Sequence, residues 1–177
     1  MAENERERSE RGQLSQRIRE AAPGLFMDLY YPFHYKVGFT IEATIRGTGL
    51  TQHQAVILWI LHAEPSEGVG LPRKVIERRV GEWFDVTSSA VTKALQGLAA
   101  PPLALVALAD DPSSGRERRV RLTTAGRERL RAMRHRANDL VSRIIVDLSD
   151  EEIMTGMRFL ERVSDIVNNW RDEDRVP

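Results

Sequence analysis

The chain has 177 residues, enough for one compact domain with helical extensions, and its 41% hydrophobic and 29% charged composition is ordinary for a globular protein. It contains no cysteine, which excludes disulfide scaffolds, thiolate metal sites and thiol redox switches and fits a cytoplasmic protein. No apolar run approaches the roughly 20 residues of a membrane span, and the N-terminus lacks the apolar core of a secretory signal, so no membrane partner is expected.

The formal net charge is zero, but the charges are unevenly distributed along the chain. Residues 113–136 contain nine arginines and two glutamates, a net charge of +7, whereas residues 147–174 contain nine acids and three arginines, a net charge of −6. A local basic region is the electrostatic footprint of phosphate binding. The zero total therefore does not argue against a nucleic-acid partner.

The N-terminal third combines a charged segment with helical patterns. Residues 1–12 alternate glutamate and arginine with almost no apolar side chain, and we expect them to be disordered. Residues 13–49 show apolar residues at helical spacing, with predicted interruptions near Pro23 and Pro32, because proline disfavours a helical conformation in the residue before it.

Two helices are predicted in the region that follows. Thr51 is a suitable N-cap, and Gln54 stands three residues later, as in a capping box. The helix over 52–62 is apolar nearly all round, which indicates a central, buried position. Another helix is predicted over 72–84, with Ile76, Val80 and Trp83 as its inner stripe.

The stretch from Val86 to Pro101 predicts a short amphipathic helix, for which Asp85 and Thr87 offer N-caps. Its apolar side chains point to one face, and the other face carries Ser89, Thr92, Lys93 and Gln96, while Ser88 lies beside Ser89 at the helix start. Small residues let such a helix approach base edges, while lysine can donate to guanine and glutamine can pair with adenine. Each hydroxyl could equally be an ordinary capping or surface group.

An arginine-rich hairpin is predicted directly afterwards. An apolar run over 103–109 has strand length, residues 110–115 have turn composition, and residues 119–122 alternate as in a half-buried strand. The hairpin carries Arg116, Arg118, Arg119 and Arg121, which are predicted to bind phosphate. The alternation predicts that Arg119 and Arg121 share one outward face.

Two helices complete the chain. Residues from 124 onward show a seven-residue apolar rhythm typical of a helix that packs along another helix, and Ser149 with Glu152 forms a second predicted capping box. The apolar stripes of the flanking segments 13–49 and 124–177 exceed the needs of one small domain. We therefore predict that both segments are dimerisation helices that pack against a second copy of the chain.

Residues 50–123 are predicted to form three helices followed by a two-stranded wing. This is the order of elements in a winged helix-turn-helix domain. With long helices on both sides, the chain resembles the MarR family of bacterial transcription regulators over about Leu50–Met133. The family's wing pattern corresponds here to Asp111, Ser114, Arg116, Val120, Leu122, Thr123 and Gly126. Ser114 replaces an aspartate that helps to hold the wing arginine in the family, and Glu82–Asp85 resembles an insertion before the recognition helix.

The resemblance implies a mainly α fold with a small β-hairpin wing, in which a winged helix-turn-helix domain is flanked by long dimerisation helices. It also implies a homodimeric regulator of double-stranded DNA, most simply a repressor released by a ligand. Family members often bind aromatic or phenolic effectors between the dimer helices and the DNA-binding lobe. Candidate pocket residues are Tyr30, Tyr31, His34 and Trp59, for which packing in a dimer core is the alternative.

Other function classes have less support in the sequence. The four histidines show no metal-ligand spacing, so no metal or other cofactor is expected. No glycine-rich phosphate loop or nucleophile elbow indicates an enzyme. A winged-helix module for protein interaction or assembly, without specific DNA binding, is the alternative, although it does not account for the wing arginines.

Overall fold

The computed structural model describes the backbone of residues 2–64, 70–111 and 114–173 and the side chains of residues 13–64, 70–111 and 117–170. The chain divides into two compact units, residues 1–133 and 134–177. The elements in chain order are α1 (Ala2–Pro32), a π-helical segment (Phe33–Gly38), α2 (Phe39–Arg46), α3 (Gln52–Ala63), β1 (Leu71–Pro72), α4 (Arg73–Trp83), α5 (Ser88–Ala99), β2 (Val106–Asp111), β3 (Ser114–Leu122), α6 (Thr124–Ile145) and α7 (Asp150–Glu173). This order confirms the predicted winged helix-turn-helix fold with long flanking helices.

Helix α3 is the centre of the first unit, as predicted. It begins at the expected capping box: the Thr51 N–H donates to Gln54 Oε1 at 2.9 Å, and the Gln54 N–H donates to Thr51 Oγ1 at 3.3 Å. Satisfying these otherwise unpaired donors sets where the helix starts. Ile57 and Leu58 are fully buried, which places α3 inside the core.

The core joins α3, α4 and α5 to the small sheet. Ile76 of α4, Leu98 of α5 and Val120 of β3 are fully buried in one apolar cluster with the α3 residues. Val80 follows the predicted inner stripe of α4, but Trp83 does not, since it is 54% exposed. Trp83 is the last residue of its helix, beyond the part of α4 that the core covers.

The sheet has three antiparallel strands in the order β1-β3-β2, so the predicted hairpin gains a third strand that the sequence did not indicate. Strand β1 consists of two residues, with Leu71 opposite Val120 and Pro72 opposite Arg119. Strand β2 starts later than predicted because Ala104 has a left-handed backbone with φ of 47°, which interrupts the extended run.

Helix α1 is longer and more continuous than predicted. It includes residues 2–12, where we expected disorder, and it continues through Pro23 without a break. The glutamates and arginines of this region have high helix propensity, which favours the helix on both sides of the exposed proline. The backbone departs from α geometry only after Pro32, where the π-helical segment begins.

The second unit contains the end of α6 and helix α7. The predicted capping box is present at the start of α7, where the Ser149 N–H donates to Glu152 Oε2 at 2.8 Å and the Glu152 N–H donates to Ser149 Oγ at 3.3 Å. These hydrogen bonds from the Ser149 backbone and hydroxyl lower the pKa of Glu152.

Among the described residues, no helix combines the length and apolar content that a bilayer requires.

Candidate nucleic-acid interface

Helix α5 presents the polar face that the sequence predicts. Val91, Leu95 and Leu98 are at most 2% exposed and fix the helix against the core. On the opposite side Ser88, Ser89, Lys93 and Gln96 are exposed, and Thr92 is half-buried. Because the buried face is rigidly packed, the exposed side chains project from a defined position.

The start of α5 is built by Thr87, one of the two predicted caps. Its hydroxyl accepts a hydrogen bond from the Ala90 N–H at 3.3 Å. The Thr87 and Ser89 hydroxyls lie 2.9 Å apart and share a hydrogen bond. The first turn is therefore ordered by side chains of the chain itself.

Two hydroxyls of the polar face are also tied to helix α4. Arg73 Nη2 donates to Thr92 Oγ1 at 2.7 Å, and the Thr92 hydroxyl donates to the Ser88 carbonyl at 2.8 Å. Ser88 Oγ donates to Glu77 Oε1 at 3.2 Å, and the same oxygen accepts from Arg73 Nε at 2.7 Å. This network orients α5 on α4, and sequence analysis missed it because Arg73 and Thr92 lie 19 residues apart.

Lys93 and Gln96 differ from these hydroxyls. Both are exposed, and neither side chain makes a hydrogen bond or ion pair with another described residue. They stand three residues apart, so they share one face of the helix. They are the two long polar side chains of α5 that remain available to a ligand.

The hairpin places its arginines in different environments. Arg118 is 63% exposed and lies 3.9 Å from Asp110, a surface pair of little energetic weight. Arg121 is exposed, and its side chain has no hydrogen-bond partner among the described residues. The backbone of Arg116 belongs to β3, but its side chain lies outside the described residues, as does that of Ser114.

Continuous strand pairing keeps Arg119 on the same face of β3 as Arg121, opposite the buried Val120, but the Arg119 guanidinium is engaged within the chain. Its Nε donates to Asp111 Oδ2 at 2.7 Å, and its Nη1 donates to the Gly70 carbonyl at 2.9 Å. The side chains are 25% and 4% exposed for Arg119 and Asp111, respectively. The register irregularity between Asp110 and Asp111 lets Asp111 turn inward at the base of the hairpin turn.

Arginines of α4 and α6 also have structural partners. Arg79 bonds to Glu82 at 3.2 Å and to Glu64 at 2.6 Å, and these two carboxylates raise its pKa. Arg129 of α6 donates to the backbone carbonyls of Arg46 and Thr48 at the end of α2. These arginines therefore stabilise the fold through contacts within the chain.

A separate cavity of about 810 Å³ lies among α2, α3 and the end of α4 in the first unit. Of the four predicted pocket residues, His34 and Trp59 line it, whereas Tyr30 and Tyr31 do not. Tyr30 instead stacks on the His34 ring at 5.4 Å between centroids, and Tyr31 stacks on Tyr35 at 6.2 Å. Sequence analysis missed the other aromatic and polar lining residues, which are Phe39, Glu42, Arg46, Gln52, Trp83 and Phe84.

The described residues contain no group of three or more histidine, aspartate and glutamate side chains that could hold a metal ion.

Comparison with known proteins connects this geometry to a fold. No protein-family model and no curated protein matches the sequence. PcaV, a transcriptional regulator from Streptomyces coelicolor solved with its natural ligand, matches with a TM-score of 0.53 at 23% identity, over 87% of this chain and 91% of its own.

Two further regulators show the same likeness. A MepR variant from Staphylococcus aureus bound to an oligodeoxyribonucleotide has a TM-score of 0.55 at 18% identity, over 80% of this chain and 97% of its own. A MarR-family transcriptional regulator from Rhodococcus has a TM-score of 0.57 at 16% identity, over 77% and 93%. The chain thus has the fold of MarR-family transcription regulators, as the resemblance predicted.

Proposed function

We propose that the chain is a sequence-specific regulator of transcription that binds double-stranded DNA as a homodimeric repressor and is released by a small-molecule ligand. The observation that carries this proposal is the exposed polar face of α5, with Lys93 and Gln96 projecting from a helix that the core holds rigidly. A helix of this kind fits the major groove, where base pairs present distinct donor and acceptor patterns. The solved MepR variant with its bound oligodeoxyribonucleotide supports the DNA partner by likeness of fold.

Base contacts would give sequence specificity, and phosphate contacts would position the protein on the DNA. Lys93 and Gln96 would contact base edges. Ser88 and Ser89 lie in the first turn of α5, where free backbone N–H groups favour an anion, and Thr92 holds this turn in place. The phosphate contacts of the wing are assigned to Arg116, Arg118 and Arg121.

Homodimerisation is supported by apolar side chains that each unit leaves exposed. Leu14, Leu25 and Leu29 of α1 are 61%, 62% and 74% exposed, and Leu160 and Trp170 of α7 are 61% and 60% exposed. Exposed apolar side chains concentrated on one element mark interaction surfaces. A two-fold dimer would place two α5 helices at half-sites about 34 Å apart.

The cavity beside α3 supports the proposal that a ligand releases the protein from DNA. Its volume is in the range of small-molecule sites, and its aromatic walls suit a small aromatic or phenolic compound. His34 and Arg46 could bond to a phenolic oxygen, whereas Glu42 accepts a hydrogen bond from Gln52 at 2.7 Å. The structure of PcaV with its natural ligand supports the existence of an effector by likeness of fold.

DNA binding is tested with a duplex that the parent protein selects from a random-sequence pool. We expect Lys93→Ala and Gln96→Ala each to weaken binding to this duplex by about 1–3 kcal/mol and to relax selectivity at one position. Lys36→Ala, which removes an exposed lysine outside the interface, is the matched control. If the parent selects no sequence, or if both α5 variants bind like the parent at every salt concentration, the proposal is wrong.

Dimerisation is tested by sedimentation of full-length protein. Leu160→Lys places a charge on the exposed apolar face of α7 and is expected to shift the chain toward monomer, while Glu161→Lys on the same helix is the control. A parent chain that is monomeric at micromolar concentration contradicts the dimer.

The ligand class is tested with p-cresol as the phenolic probe. We expect the probe to raise the thermal midpoint of the parent and to weaken its binding to the selected duplex, since a ligand that favours one conformation shifts the population toward it. In Ala43→Phe, which fills the cavity with a larger side chain, both responses should disappear. A parent that shows neither response contradicts a phenolic effector.

A further inference from the structure

Arg119 stands out among the wing arginines because it joins three parts of the fold. It belongs to β3, it donates to Asp111 at the end of β2, and it donates to the carbonyl of Gly70, 49 residues earlier in the chain. The donors and acceptors lie 2.7 and 2.9 Å apart, as in charge-assisted hydrogen bonds. We call Asp111, Arg119 and Gly70 the wing clamp.

The Gly70 end of the clamp requires close backbone approach. Gly70 has φ of +88°, and a Cβ atom at this position would lie 2.7 Å from the Val120 carbonyl oxygen. Only glycine allows the chain to pass so near to β3 in this conformation. The clamp thus fastens the wing to the residues that lead directly into α4, since Pro72 is the N-cap of that helix.

The same short segment also holds the recognition helix. Arg73, the first residue of α4, donates to Thr92 of α5 at 2.7 Å. The wing and α5 are therefore both attached within Gly70–Arg73, the wing through Arg119 and the helix through Arg73. A shift of the wing at this point changes its position relative to α5.

We propose that Arg119 is a positioning residue, which aligns the wing with α5 for DNA binding through Asp111 and Gly70, and is not itself a phosphate contact. This inference depends on the proposed DNA binding. It gives this chain a means of ordering the wing although Ser114 occupies the position where the family has an aspartate. The phosphate contacts are left to the exposed arginines of the hairpin.

The two possible roles of Arg119 predict opposite results for Asp111→Asn. This change removes a negative charge from a DNA-binding wing, so electrostatics alone predicts tighter binding if Arg119 is freed to contact phosphate. If Arg119 positions the wing, the same change weakens binding to the selected duplex, by about tenfold, within the range of coupling between residues in contact. Asp110→Asn removes the same charge from the neighbouring residue, which is 90% exposed, and should bind as tightly as the parent or more tightly.

Arg119→Lys provides an independent variant. Lysine keeps the positive charge but cannot hold two acceptors in the fixed geometry of a guanidinium group. A phosphate contact would retain nearly parental affinity with lysine, whereas the wing clamp predicts a loss similar to that of Asp111→Asn. Combining the two changes should add little to either, because each already breaks the same contact.

Amide hydrogen exchange of the free full-length protein separates this inference from the proposed function. Breaking the clamp should speed exchange across the β2–β3 ladder, while the buried amides of α3 stay protected, which also shows that the variant is folded. Failure of the parent to select DNA overturns the proposed function, and the exchange result still decides whether the clamp orders the wing. The inference is overturned by Asp111→Asn binding at parental strength or tighter, by parental affinity in Arg119→Lys, by an equal loss in Asp110→Asn, or by an unchanged wing exchange rate.

Discussion

The region from α3 to β3 and the helix α1 use apolar side chains in different ways. In the first, Ile57, Leu58 and Leu98 are fully buried within the chain itself. In the second, Leu25 and Leu29 are 62% and 74% exposed on a helix of 31 residues. One region completes an apolar core, and the other leaves much of its apolar surface exposed.

The largest expected effect separates the two regions by core truncation. Leu58→Ala should lower the free energy of unfolding by about 2–5 kcal/mol, because it removes a fully buried side chain and leaves a cavity. Leu25→Ala, the same change on exposed α1, should leave intrachain stability nearly unchanged and should instead reduce the concentration dependence of the unfolding midpoint. Chemical denaturation at several protein concentrations measures both. Equal, concentration-independent losses would show that α1 packs within its own chain.

Glycine substitutions extend the comparison to the start of α6, where Gly126 packs against Leu105 of the core region, and are expected to have opposite signs there and in α1. A Cβ atom at Gly126 would overlap the Leu105 carbonyl, so Gly126→Ala should destabilise the fold by about 1–3 kcal/mol. Gly24 lies within α1, and no neighbouring atom is within 4 Å of the place that a Cβ atom would occupy, so Gly24→Ala should stabilise the helix by about 0.5–1 kcal/mol. Thermal unfolding of the two variants gives the signs, and a destabilised Gly24→Ala would indicate close packing of α1 at that point.

Helix capping provides a smaller effect. Thr51→Ala should lower the free energy of unfolding by about 1 kcal/mol, since it leaves the Gln54 N–H at the start of α3 without its acceptor. Ser15→Ala replaces an exposed serine inside α1 and should stabilise slightly, because alanine has the higher helix propensity. If Thr51→Ala unfolds at the same denaturant concentration as the parent, the capping box contributes little to the core region.

The smallest expected effect is a pH dependence at α7. The pKa of Glu152 in the folded protein is below its ordinary value of 4.5. Its contribution to folding stability is therefore fully present above about pH 4.5 and is lost as the pH falls through the folded pKa. Glu152→Gln should therefore narrow the difference in thermal midpoint between neutral and acidic solution, and Glu151→Gln is the neighbouring control. An unchanged pH profile for Glu152→Gln would show that the box is not formed in solution.

Local signals in the sequence predicted local structure well. Both capping boxes, the polar face of α5 and the hairpin depend on residues within a few positions of one another, and the structure confirms them. Strand β1 was missed because two residues carry no periodic pattern, and its pairing with β3 joins distant parts of the chain. The hydrogen bonds of Arg119 were missed for the same reason, since strand alternation cannot show that Asp111 and Gly70 come within hydrogen-bond distance.

The cavity shows the same limit for the candidate ligand site. Aromatic composition indicated the neighbourhood, and His34 and Trp59 do line the space. Tyr30 and Tyr31 do not line it, and their rings stack on His34 and Tyr35 instead. Trp83 and Phe84 enter the wall from the end of α4, a meeting of distant segments that periodicity does not encode.

The hydrogen bonds that tie Ser88 and Thr92 to α4 have a consequence for the information that a DNA site would need to carry. With these hydroxyls engaged within the protein, discrimination among base pairs would fall mainly on Lys93 and Gln96. A half-site defined at so few positions recurs by chance throughout any genome. The protein would then recognise its target DNA less by the sequence of either half-site than by the fixed distance between two half-sites.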